Sequence, residues 1–431
     1  MTPAARIAAA IEVLETIDAN ARPGDELVTA YFRSRRYIGS KDRRAISERA
    51  FAIERKRAHL DWWTRSNEPR ARVIADLALN DRLTVDAIDE LFDGGRFGPA
   101  PLSPDERIMA ERLAGLPVDA SDMPPAVQFE MPEWILDILQ TMWGEHAARE
   151  ITALNRPAPL DLRVNTLKGN RADAIARLAE DEIVAVATTM SPIGLRVNER
   201  ANLTVARAYK DGLVEVQDEA SQIAALLTGA KADRMTIDLC AGAGGKTLAL
   251  AAMMKDGGPL IACDTDKRRL HAIEARLKRA GISNVTRKHL TGLDDPALAA
   301  LEDRAVRVLV DAPCSGSGAW RRNPGARWRL TPERLDQLMA EQRRILTAAA
   351  NLVAPGGRLI YVTCSIFDGE NQAQADLFLD SNPEFRAIPI AEVWKTTVRG
   401  NAPTDETYLT LTPARNATDG FFVAVFEKVE D

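Results

Sequence analysis

Four short apolar runs in the second half of the chain constrain its fold more than any other feature. They lie beyond Val216, alternate with helical stretches, and read "MTIDLC", "PLIACD", "RVLVDAPC" and "RLIYVTCS". Short apolar runs separated by helices are typical of a doubly wound parallel sheet. Because the carboxyl ends of the strands in such a sheet share one edge, where ligands bind, we expect a ligand crevice at that edge.

Each of these runs carries a cysteine at or near its end. The four residues, Cys240, Cys263, Cys314 and Cys364, are too few and too widely spaced for a disulfide framework, and the absence of CxxC disfavours zinc. We expect the four sulfurs to gather around one crevice. A free cysteine is most often a small buried apolar residue, and we keep that interpretation for Cys240 and Cys263. Cys314 and Cys364 instead follow strands at points where the chain must turn at the ligand edge.

The length and local patterns predict several domains. A chain of 431 residues is expected to hold two or three. Ile46, Ala50, Ile53 and Leu60 recur at helical spacing, whereas "FGPAPLSPDE" and "VDASDMPP" are rich in residues typical of connections. Strand-like pieces "LDLRVNTL" and "GLVEVQD" follow. The predicted boundaries are an all-helical domain at 1–96, a linker at 97–126, a small α/β segment at 127–215 and the sheet domain at 216–431.

Composition narrows the class of protein further. Apolar residues make up 46% and charged residues 27%, and no apolar run approaches the roughly 20 residues that span a bilayer. The N-terminal stretch carries acids and lacks the features of a signal peptide, so we expect a cytoplasmic protein. We also expect a monomer that binds no metal. The net charge of −6 argues against a general polyanion binder, although local basic patches can still bind nucleic acid.

A glycine-rich turn, "DLCAGAGGKT" from Asp238 to Thr247, follows the first apolar run and opens a helix. Its spacing matches neither the P-loop nor a strict GxGxxG motif. Asp264 ends the next strand, 18 residues after Lys246, where an acidic residue would bind the two hydroxyls of a ribose. Together these features indicate an adenosine-bearing cofactor without a phosphate clamp. The alternative for Asp264 is a helix N-cap.

The order of motifs resembles one family. "VQDEASQIAALL", "DLCAGAGGKT", "ACDTD", "DAPCSGSG", "YVTCSIFDGEN" and "GFFVAVF" are similar to motifs of the bacterial RsmB/Sun family of RNA (cytosine-5) methyltransferases. The resemblance implies a Rossmann-like methyltransferase domain at the C-terminus. It also implies a small preceding domain at "LDLRVNTLK" and a helical NusB-like RNA-binding domain that contains "RRYIGSKDRRAISERAFAIERKR".

The resemblance implies S-adenosylmethionine as the cofactor. Asp264 would bind its ribose, Asp311 would also lie against it, and its methionine part would be surrounded by the loop Cys240, Ala241, Gly242, Ala243, Gly244, Gly245 and Lys246. This chain departs from the family at two positions. Ala243 stands where the family loop usually has proline, which should loosen the turn. Thr291 stands near where an aspartate is expected to meet the adenine, and Thr291 or Asp294 is the predicted substitute.

Methylation of carbon 5 of cytosine explains a pair of cysteines. One thiolate adds to carbon 6 and activates carbon 5, and a second thiol assists removal of the proton and release of the first sulfur. The residues alone do not choose between the sulfurs; the resemblance assigns Cys364 as nucleophile and Cys314 to release. Asp311 would compensate charge at the ring, and Lys246 would lower a thiol pKa or orient Asp311, unless it is an ordinary solvated lysine. Glu370 and Asn371 are interpreted as helix caps.

Two basic segments are candidate RNA contacts. "WRRNPGARWRL" offers Trp320, Arg321 and Arg322, followed by Arg327, Trp328 and Arg329, a mixture that single-stranded RNA recognition uses. The alternative is a tryptophan packed in the core beside solvated arginines. The second segment lies in the helical domain and contains Arg33, Arg35, Arg36, Lys41, Arg43, Arg44, Arg55, Lys56 and Arg57. Its alternative is a solvated helix face.

The favoured function is therefore an RNA (cytosine-5) methyltransferase, with 16S rRNA as the expected substrate. A tRNA (cytosine-5) methyltransferase is the nearest alternative. The alternative from another class is a non-catalytic RNA-binding ribosome-assembly factor that kept the fold.

Overall fold

Helices alone build the N-terminal part of the chain. The computed structural model describes residues 1–20, 22–198, 201–398 and 400–430. Within it, Met1–Arg156 and Trp320–Leu330 form one compact unit, and Pro157–Ala319 and Thr331–Asp431 form a second. The helices up to Arg156 are α1 (Pro3–Asp18), α2 (Gly24–Ser34), α3 (Ser40–Arg55), α4 (Arg57–Thr64), α5 (Pro69–Leu79), α6 (Val85–Leu91), α7 (Pro104–Leu113), α8 (Pro125–Gln128), α9 (Glu133–Trp143) and α10 (Ala147–Asn155).

The helical prediction for this unit is confirmed. Ile46, Ala50, Ile53 and Leu60, which recur at helical spacing, are all buried in one apolar core. That core also takes side chains from α1, α2, α5, α6 and α7.

The expected linker at 97–126 needs correction, because it contains α7. Ser103 and Glu106 form a reciprocal capping box at the start of this helix, and Pro104 occupies its first turn. Ala110 and Leu113 bury their side chains in the helical core. This part of the chain is therefore an element of the helical unit with connecting segments on either side.

A small antiparallel sheet opens the second unit. It consists of β1 (Leu160–Val164), β2 (Ala185–Ala187), β3 (Gly194–Val197) and β4 (Val214–Val216), in the order β2-β3-β1-β4. The helices α11 (Arg171–Ala179) and α12 (Arg207–Lys210) lie between these strands in sequence. The predicted strand pieces "LDLRVNTL" and "GLVEVQD" contain β1 and β4, while the expected bounds of the small α/β segment, 127–215, stay a prediction.

The larger sheet is built as the apolar runs predict. Its strands are β5 (Thr236–Asp238), β6 (Leu260–Asp264), β7 (Val285–His289), β8 (Ala305–Asp311), β9 (Val353–Thr363), β10 (Phe385–Ala387), β11 (Leu409–Leu411) and β12 (Phe421–Lys428). The order is β10-β12-β9-β8-β5-β6-β7, and β11 pairs with β12. Strands β5 to β9 pair in parallel, whereas β12 runs antiparallel to β9. The strand order reverses between β5 and β8, where a ligand crevice is expected.

Helices cover both faces of this sheet. They are α13 (Glu219–Leu226), α14 (Gly245–Met253), α15 (Lys267–Ala280), α16 (Pro296–Ala299), α18 (Pro332–Ala350), α19 (Gln372–Ser381), α20 (Ile390–Thr397) and α21 (Pro413–Asn416), while α17 (Ala326–Arg329) belongs to the helical unit. One apolar layer includes α13, α14 and α15, and the other includes α16, α18 and α19. Among the described residues, no helix combines the length and the apolar character needed to cross a membrane.

Candidate active site

The glycine-rich turn joins β5 to α14 and has a backbone that glycine makes possible. Gly242 and Gly244 have positive φ angles of 53° and 81°. A Cβ at Gly242 would lie 2.7 Å from the guanidinium of Arg269, and a Cβ at Gly244 would lie 2.9 Å from Ile273. The N–H of Gly244 closes the turn on the Ala241 carbonyl at 2.8 Å. The two glycines therefore let the turn adopt this backbone and pack closely against α15.

Asp264 holds this turn from the end of β6. Its Oδ2 accepts a 2.7 Å hydrogen bond from the Gly242 N–H, and its Oδ1 accepts one from the Asp266 N–H, also at 2.7 Å. The N-cap of α15 is Asp266, whose carboxylate accepts from the N–H groups of Arg268 and Arg269. The helix-cap alternative for Asp264 is therefore wrong, and the residue stays a candidate ribose ligand.

The candidate adenine contact lies beyond β7. The N–H and the hydroxyl of Thr291 donate to Oδ2 of Asp295 at 2.8 and 2.9 Å. The preceding N–H, of Leu290, donates to the carbonyl of Asp264 at 3.0 Å. Thr291 is thus one residue beyond Leu290, whose hydrogen bond to Asp264 connects this segment to the end of β6. Contact of Thr291 or Asp294 with adenine remains a prediction.

Asp238 is a buried carboxyl group below the turn. The Thr247 hydroxyl donates to its Oδ2 at 2.6 Å. Burial raises the pKa of Asp238 to about 7, against the opposing effect of that hydrogen bond. The glycine-rich turn is thus bonded to two aspartates, to Asp264 through the Gly242 N–H and to Asp238 through the Thr247 hydroxyl.

Two of the four cysteines meet. The Sγ atoms of Cys314, after β8, and Cys364, after β9, are 3.5 Å apart. Cys263 is fully buried in the apolar core, and Cys240 packs against that core. Burial raises the pKa of the Cys263 thiol to about 12 and raises that of Cys240 as well. The prediction that all four sulfurs gather is therefore wrong for Cys263, since this residue lies within a central strand.

The Cys314 thiol is held in its neutral form. Its hydrogen bond with Cys364, its burial and the negative charge of Glu370 together raise the pKa of Cys314 well above the ordinary value. Two sulfurs at this distance cannot both become thiolates without strong repulsion. The site therefore supports one thiolate at a time.

A buried ion pair lies at the same edge of the sheet. Lys246, in the first turn of α14, places its Nζ 2.6 Å from Oδ2 of Asp311, which ends β8. The side chain of Lys246 is 8% exposed, and its ammonium lies 5.2 Å from the ring centre of Phe421. The solvated-lysine alternative is wrong, and Lys246 is placed to orient Asp311.

The first candidate RNA segment is packed inside the protein. Trp320 is fully buried, and Arg321 is 5% exposed. Arg327 is also buried and donates to the carbonyls of Pro324 and Glu130 at 3.1 and 2.9 Å, with its guanidinium 5.5 Å from the Trp320 ring. An open stacking surface at Trp320 and Arg321 is thus not what the structure presents, because a large indole is stabilised by burial. Arg322 is exposed.

The second candidate segment contains both inward and outward side chains. Arg43 donates to the Ile38 carbonyl at 2.7 Å, and Arg55 donates to the Arg321 carbonyl at 3.3 Å. Arg44 forms a solvent-exposed ion pair with Glu48. The outward residues form the α2–α3 surface, which we define as Arg33, Arg36, Tyr37, Lys41 and Arg44. Tyr37 is 79% exposed within it.

Arg269 and Arg276 escaped the sequence analysis, which also interpreted Glu370 only as a helix cap. Arg269 and Arg276 face the glycine turn from α15, and Arg276 donates to the Ala243 carbonyl at 2.5 Å. Their separation of seven residues places them on one helix face, a spacing that could have revealed them. Glu370 lies behind both cysteines and accepts hydrogen bonds from Ser315 and Ser365. No comparable sequence pattern indicates the position of Glu370, which lies six residues after Cys364.

Comparisons with known proteins agree with this geometry. A solved structure described as PH0851 superimposes with a TM-score of 0.80, at 27% identity, over 99% of both chains. The chain is therefore similar throughout to a solved protein, and its parallel sheet has the Rossmann-like architecture of methyltransferases. The family model for the 16S rRNA methyltransferase RsmB/F matches residues 224–427, and a model for the ferredoxin-like domain of the same group matches residues 131–204.

Relatives with curated descriptions agree as well. The probable ribosomal RNA small subunit methyltransferase B of Synechocystis is 32% identical over 70% of this chain and 67% of its own length. The ribosomal RNA small subunit methyltransferase B of Xanthomonas campestris is 29% identical over 90% and 89%. This chain belongs to the RsmB/F family of 16S rRNA methyltransferases.

Arg276 should compensate for the missing proline of the turn. It is anchored by Oε2 of Glu215 at 3.1 Å while it binds the Ala243 carbonyl. We expect Arg276→Ala to weaken S-adenosylmethionine binding about three- to tenfold, since the loss of one charged hydrogen bond is worth roughly 1 kcal/mol. Adding Ala243→Pro to that variant should restore most of the affinity, because proline limits the turn directly. Titration calorimetry measures both.

The control for this experiment is Lys278→Ala on the exposed side of the same helix. It should bind the cofactor as the parent protein does. Equal affinities of the parent and Arg276→Ala, or no gain from the added proline, would show that the arginine does not shape the turn.

Asp238 should make stability depend on pH. Its pKa is raised from an unfolded value near 4 to about 7. Between these values the folded chain keeps a proton that the unfolded chain releases, so this group's contribution to stability falls as pH rises. Asp238→Asn should remove that slope, and its stability relative to the parent should increase by about 2–4 kcal/mol from pH 4 to pH 8. Urea unfolding across this range, with exposed Asp233→Asn as control, tests it; parallel curves for parent and Asp238→Asn contradict it.

Proposed function

We propose that this protein transfers a methyl group from S-adenosylmethionine to carbon 5 of a cytosine in 16S rRNA. The observation that carries the proposal is the pair of thiols, Cys314 and Cys364, 3.5 Å apart at the carboxyl ends of β8 and β9. Methylation of a ring nitrogen or an oxygen needs no thiol pair, whereas the ring carbon requires covalent activation. Membership of a 16S rRNA methyltransferase family supports the substrate.

The residues at the switch point fit the cofactor. Gly242 and Gly244 give the turn its positive φ angles and its close packing against α15, and Asp264 offers a carboxylate beside the turn. The loop Cys240–Lys246 would hold the methionine part and Asp264 the ribose hydroxyls. S-adenosylmethionine supplies the methyl group. The protein supplies the orientation of both reactants and the activation of the cytosine.

Cys364 is the proposed nucleophile. Its thiolate adds to carbon 6 of the cytosine, forming a carbon–sulfur bond and moving electron density to carbon 5, which then accepts the methyl group. The raised pKa of Cys314, which burial and the charge of Glu370 contribute to, disfavours Cys314 as the attacking thiolate and so supports this choice. The proposal thus places the negative charge of the nucleophile on one of the two neighbouring sulfurs, that of Cys364.

Asp311 is proposed to compensate charge on the cytosine ring, and Lys246 to orient Asp311. Asp311 would meet the ring nitrogen and the exocyclic amine of the cytosine, where a proton shared between its carboxyl group and the ring nitrogen compensates the negative charge that builds up as the thiolate adds. The 2.6 Å ion pair fixes the orientation of that carboxylate, with the ammonium of Lys246 buried and the Asp311 side chain 34% exposed. Lys246 therefore acts through Asp311 rather than on the substrate directly.

Cys314 is proposed to assist release. After methyl transfer the proton on carbon 5 must leave, and the bond between carbon 6 and Cys364 must break to restore the aromatic ring. Cys314 lies beside the sulfur that departs, so it can take part in proton transfer at that stage. This division of roles explains why the site has two thiols.

The helical unit is proposed to bind RNA through the α2–α3 surface. Its four basic residues carry positive charge into solvent, and Tyr37 offers an aromatic face for an unpaired base. The likeness of this unit to NusB remains part of the proposal. Arg43, Arg55, Trp320 and Arg321 are more suited to supporting the fold than to touching RNA directly.

The two cysteines should differ in the species that they accumulate. Cys364→Ala should form no adduct and lose methylation while it still binds cofactor and RNA. Cys314→Ala should attack and methylate but then retain RNA bound through Cys364, because release is impaired. A denaturing gel with labelled rRNA should show a retarded, protease-sensitive band for Cys314→Ala alone. Cys263→Ala, in the core, is the matched cysteine control.

The opposite pattern, with a band from Cys364→Ala and none from Cys314→Ala, would exchange the two roles. Absence of methylation by the parent protein on rRNA would instead favour the assembly-factor hypothesis. Bisulfite sequencing of rRNA and tRNA from cells that lack the protein separates the rRNA substrate from the tRNA alternative.

Charge reversal on the α2–α3 surface should weaken RNA binding without affecting cofactor binding. We expect Arg36→Glu with Lys41→Glu to lower RNA affinity at least tenfold and to reduce the salt slope by about 1–2, since each lost phosphate contact contributes about 1. Arg82→Glu with Arg96→Glu, both exposed elsewhere in the helical unit, makes the same charge change and should have little effect. Filter binding across a salt series measures this, and equal losses for both double variants would mean that only net charge matters.

A further inference from the structure

Glu370 is a fully buried carboxylate directly behind the two cysteines. Its Oε1 accepts hydrogen bonds from the Ser315 N–H at 2.8 Å and the Gln342 amide at 2.9 Å. Its Oε2 accepts from the hydroxyls of Ser315 and Ser365, both at 2.5 Å. In every one of these bonds Glu370 is the acceptor, which is the pattern that an ionised carboxylate makes.

The residues that Glu370 holds are the immediate neighbours of the two sulfurs. Ser315 follows Cys314, and Ser365 follows Cys364. Gln342 of α18 also donates to the carbonyl of Pro313, the residue before Cys314, at 3.0 Å. The carboxylate therefore connects two loops that lie 50 residues apart in sequence, and it does so one residue from each thiol.

The helix-cap interpretation of Glu370 and Asn371 is wrong. No side-chain hydrogen bond caps the N-terminus of α19. Asn371 instead accepts from the Thr363 hydroxyl at 2.5 Å and donates to the Ser365 carbonyl at 3.0 Å. Glu370 and Asn371 thus form hydrogen bonds with the residues on either side of Cys364.

A third serine completes the connection. The Ser317 hydroxyl lies 3.0 Å from that of Ser315 and 3.1 Å from that of Ser365, and it accepts from the Ile366 N–H at 2.9 Å. Such a connected set of hydrogen bonds around one buried charge resists displacement, because breaking it leaves the charge unsatisfied. The two cysteine loops are therefore tied to each other through hydrogen bonds to one carboxylate and three serines.

We propose that Glu370 is a positioning residue of the two-cysteine site, where its carboxylate sets the spacing of the sulfurs and its negative charge disfavours a second thiolate at Cys314. The inference rests on the proposed methyl transfer, in which the sulfurs have separate roles. Glu370 makes two of its bonds to Ser315 and one to Ser365, so its charge is tied more closely to the Cys314 loop. Its charge also contributes to the raised pKa of Cys314. Lys246, the buried cation at this edge, pairs with Asp311 instead.

The test measures how fast Cys314 is alkylated by iodoacetamide at different pH values, in a Cys364→Ser background. Only the thiolate reacts, so the rate reports ionisation of Cys314 without RNA or cofactor. Glu370→Gln keeps the size of the side chain and removes its charge. We expect it to speed alkylation of Cys314 about three- to tenfold at pH 8 and to shift the pH profile to lower pH. Peptide mass spectrometry identifies the modified residue.

Asp368→Asn is the matched control, since it removes one negative charge from the same turn at an exposed position. It should leave the rate within about twofold of the background. An unchanged rate in Glu370→Gln, or an equal acceleration in Asp368→Asn, would overturn the proposal.

Ser365→Ala separates charge from loosening of the loops. It removes one hydrogen-bond donor and keeps the carboxylate charge, so alkylation of Cys314 should stay the same or slow. Faster alkylation in this variant would mean that looser packing exposes the thiol, and the proposal would fail. This variant decides the matter if Glu370→Gln does not fold, as judged by near-ultraviolet circular dichroism. Failure of the parent protein to form an RNA adduct would reject the proposed function and leave the alkylation result standing.

Discussion

The parallel pairing of β5 with β8 is the constraint on which the site depends. It places Asp238, the last residue of β5, opposite Leu309, two residues before the end of β8 at Asp311. Lys246 follows one strand and Asp311 ends the other, and their ion pair crosses the gap. The adjacent pairing of β8 with β9 brings Asp311 beside Val362 and thereby brings the two cysteine loops together. A site made of residues far apart in sequence thus follows from strand order.

Charge at this edge is arranged in layers. Asp311 faces the proposed substrate and is balanced by Lys246, whereas Glu370 lies deeper and is satisfied by neutral donors. A buried carboxylate without a cation is costly unless its acceptor sites are filled, and here four donors fill them. The negative charge of Glu370 then acts on the ionisable groups around it, and it contributes to the raised pKa of both Cys314 and Tyr361. Two thiols with the same chemistry are made unequal by their surroundings.

Much of this arrangement could be predicted from the sequence. Apolar runs indicate individual strands, and the topology of a parallel sheet indicates which strand ends lie side by side. The four runs predicted β5, β6, β8 and β9, and the edge rule brought Cys314 and Cys364 together. The rule failed for Cys263, because this residue is the next to last of β6 and its side chain is buried in the core. The prediction of an RNA contact at Trp320 rested on the arginines beside it in sequence, whereas the indole is buried inside the protein. Side-chain direction depends on tertiary packing, which composition alone does not encode.

The glycine turn shows how tertiary contacts replace a local restraint. A proline would limit the backbone at position 243 through its own ring, and this chain has alanine there. The restraint comes instead from Arg276 of α15, which binds the carbonyl of the same residue while Glu215 of β4 holds its guanidinium. Glu215 also binds Arg279, so a strand of the small sheet stabilises the helix that shapes the turn. The small sheet therefore contributes to the geometry of the glycine turn, because the arginine that binds the turn is held by a carboxylate of this sheet.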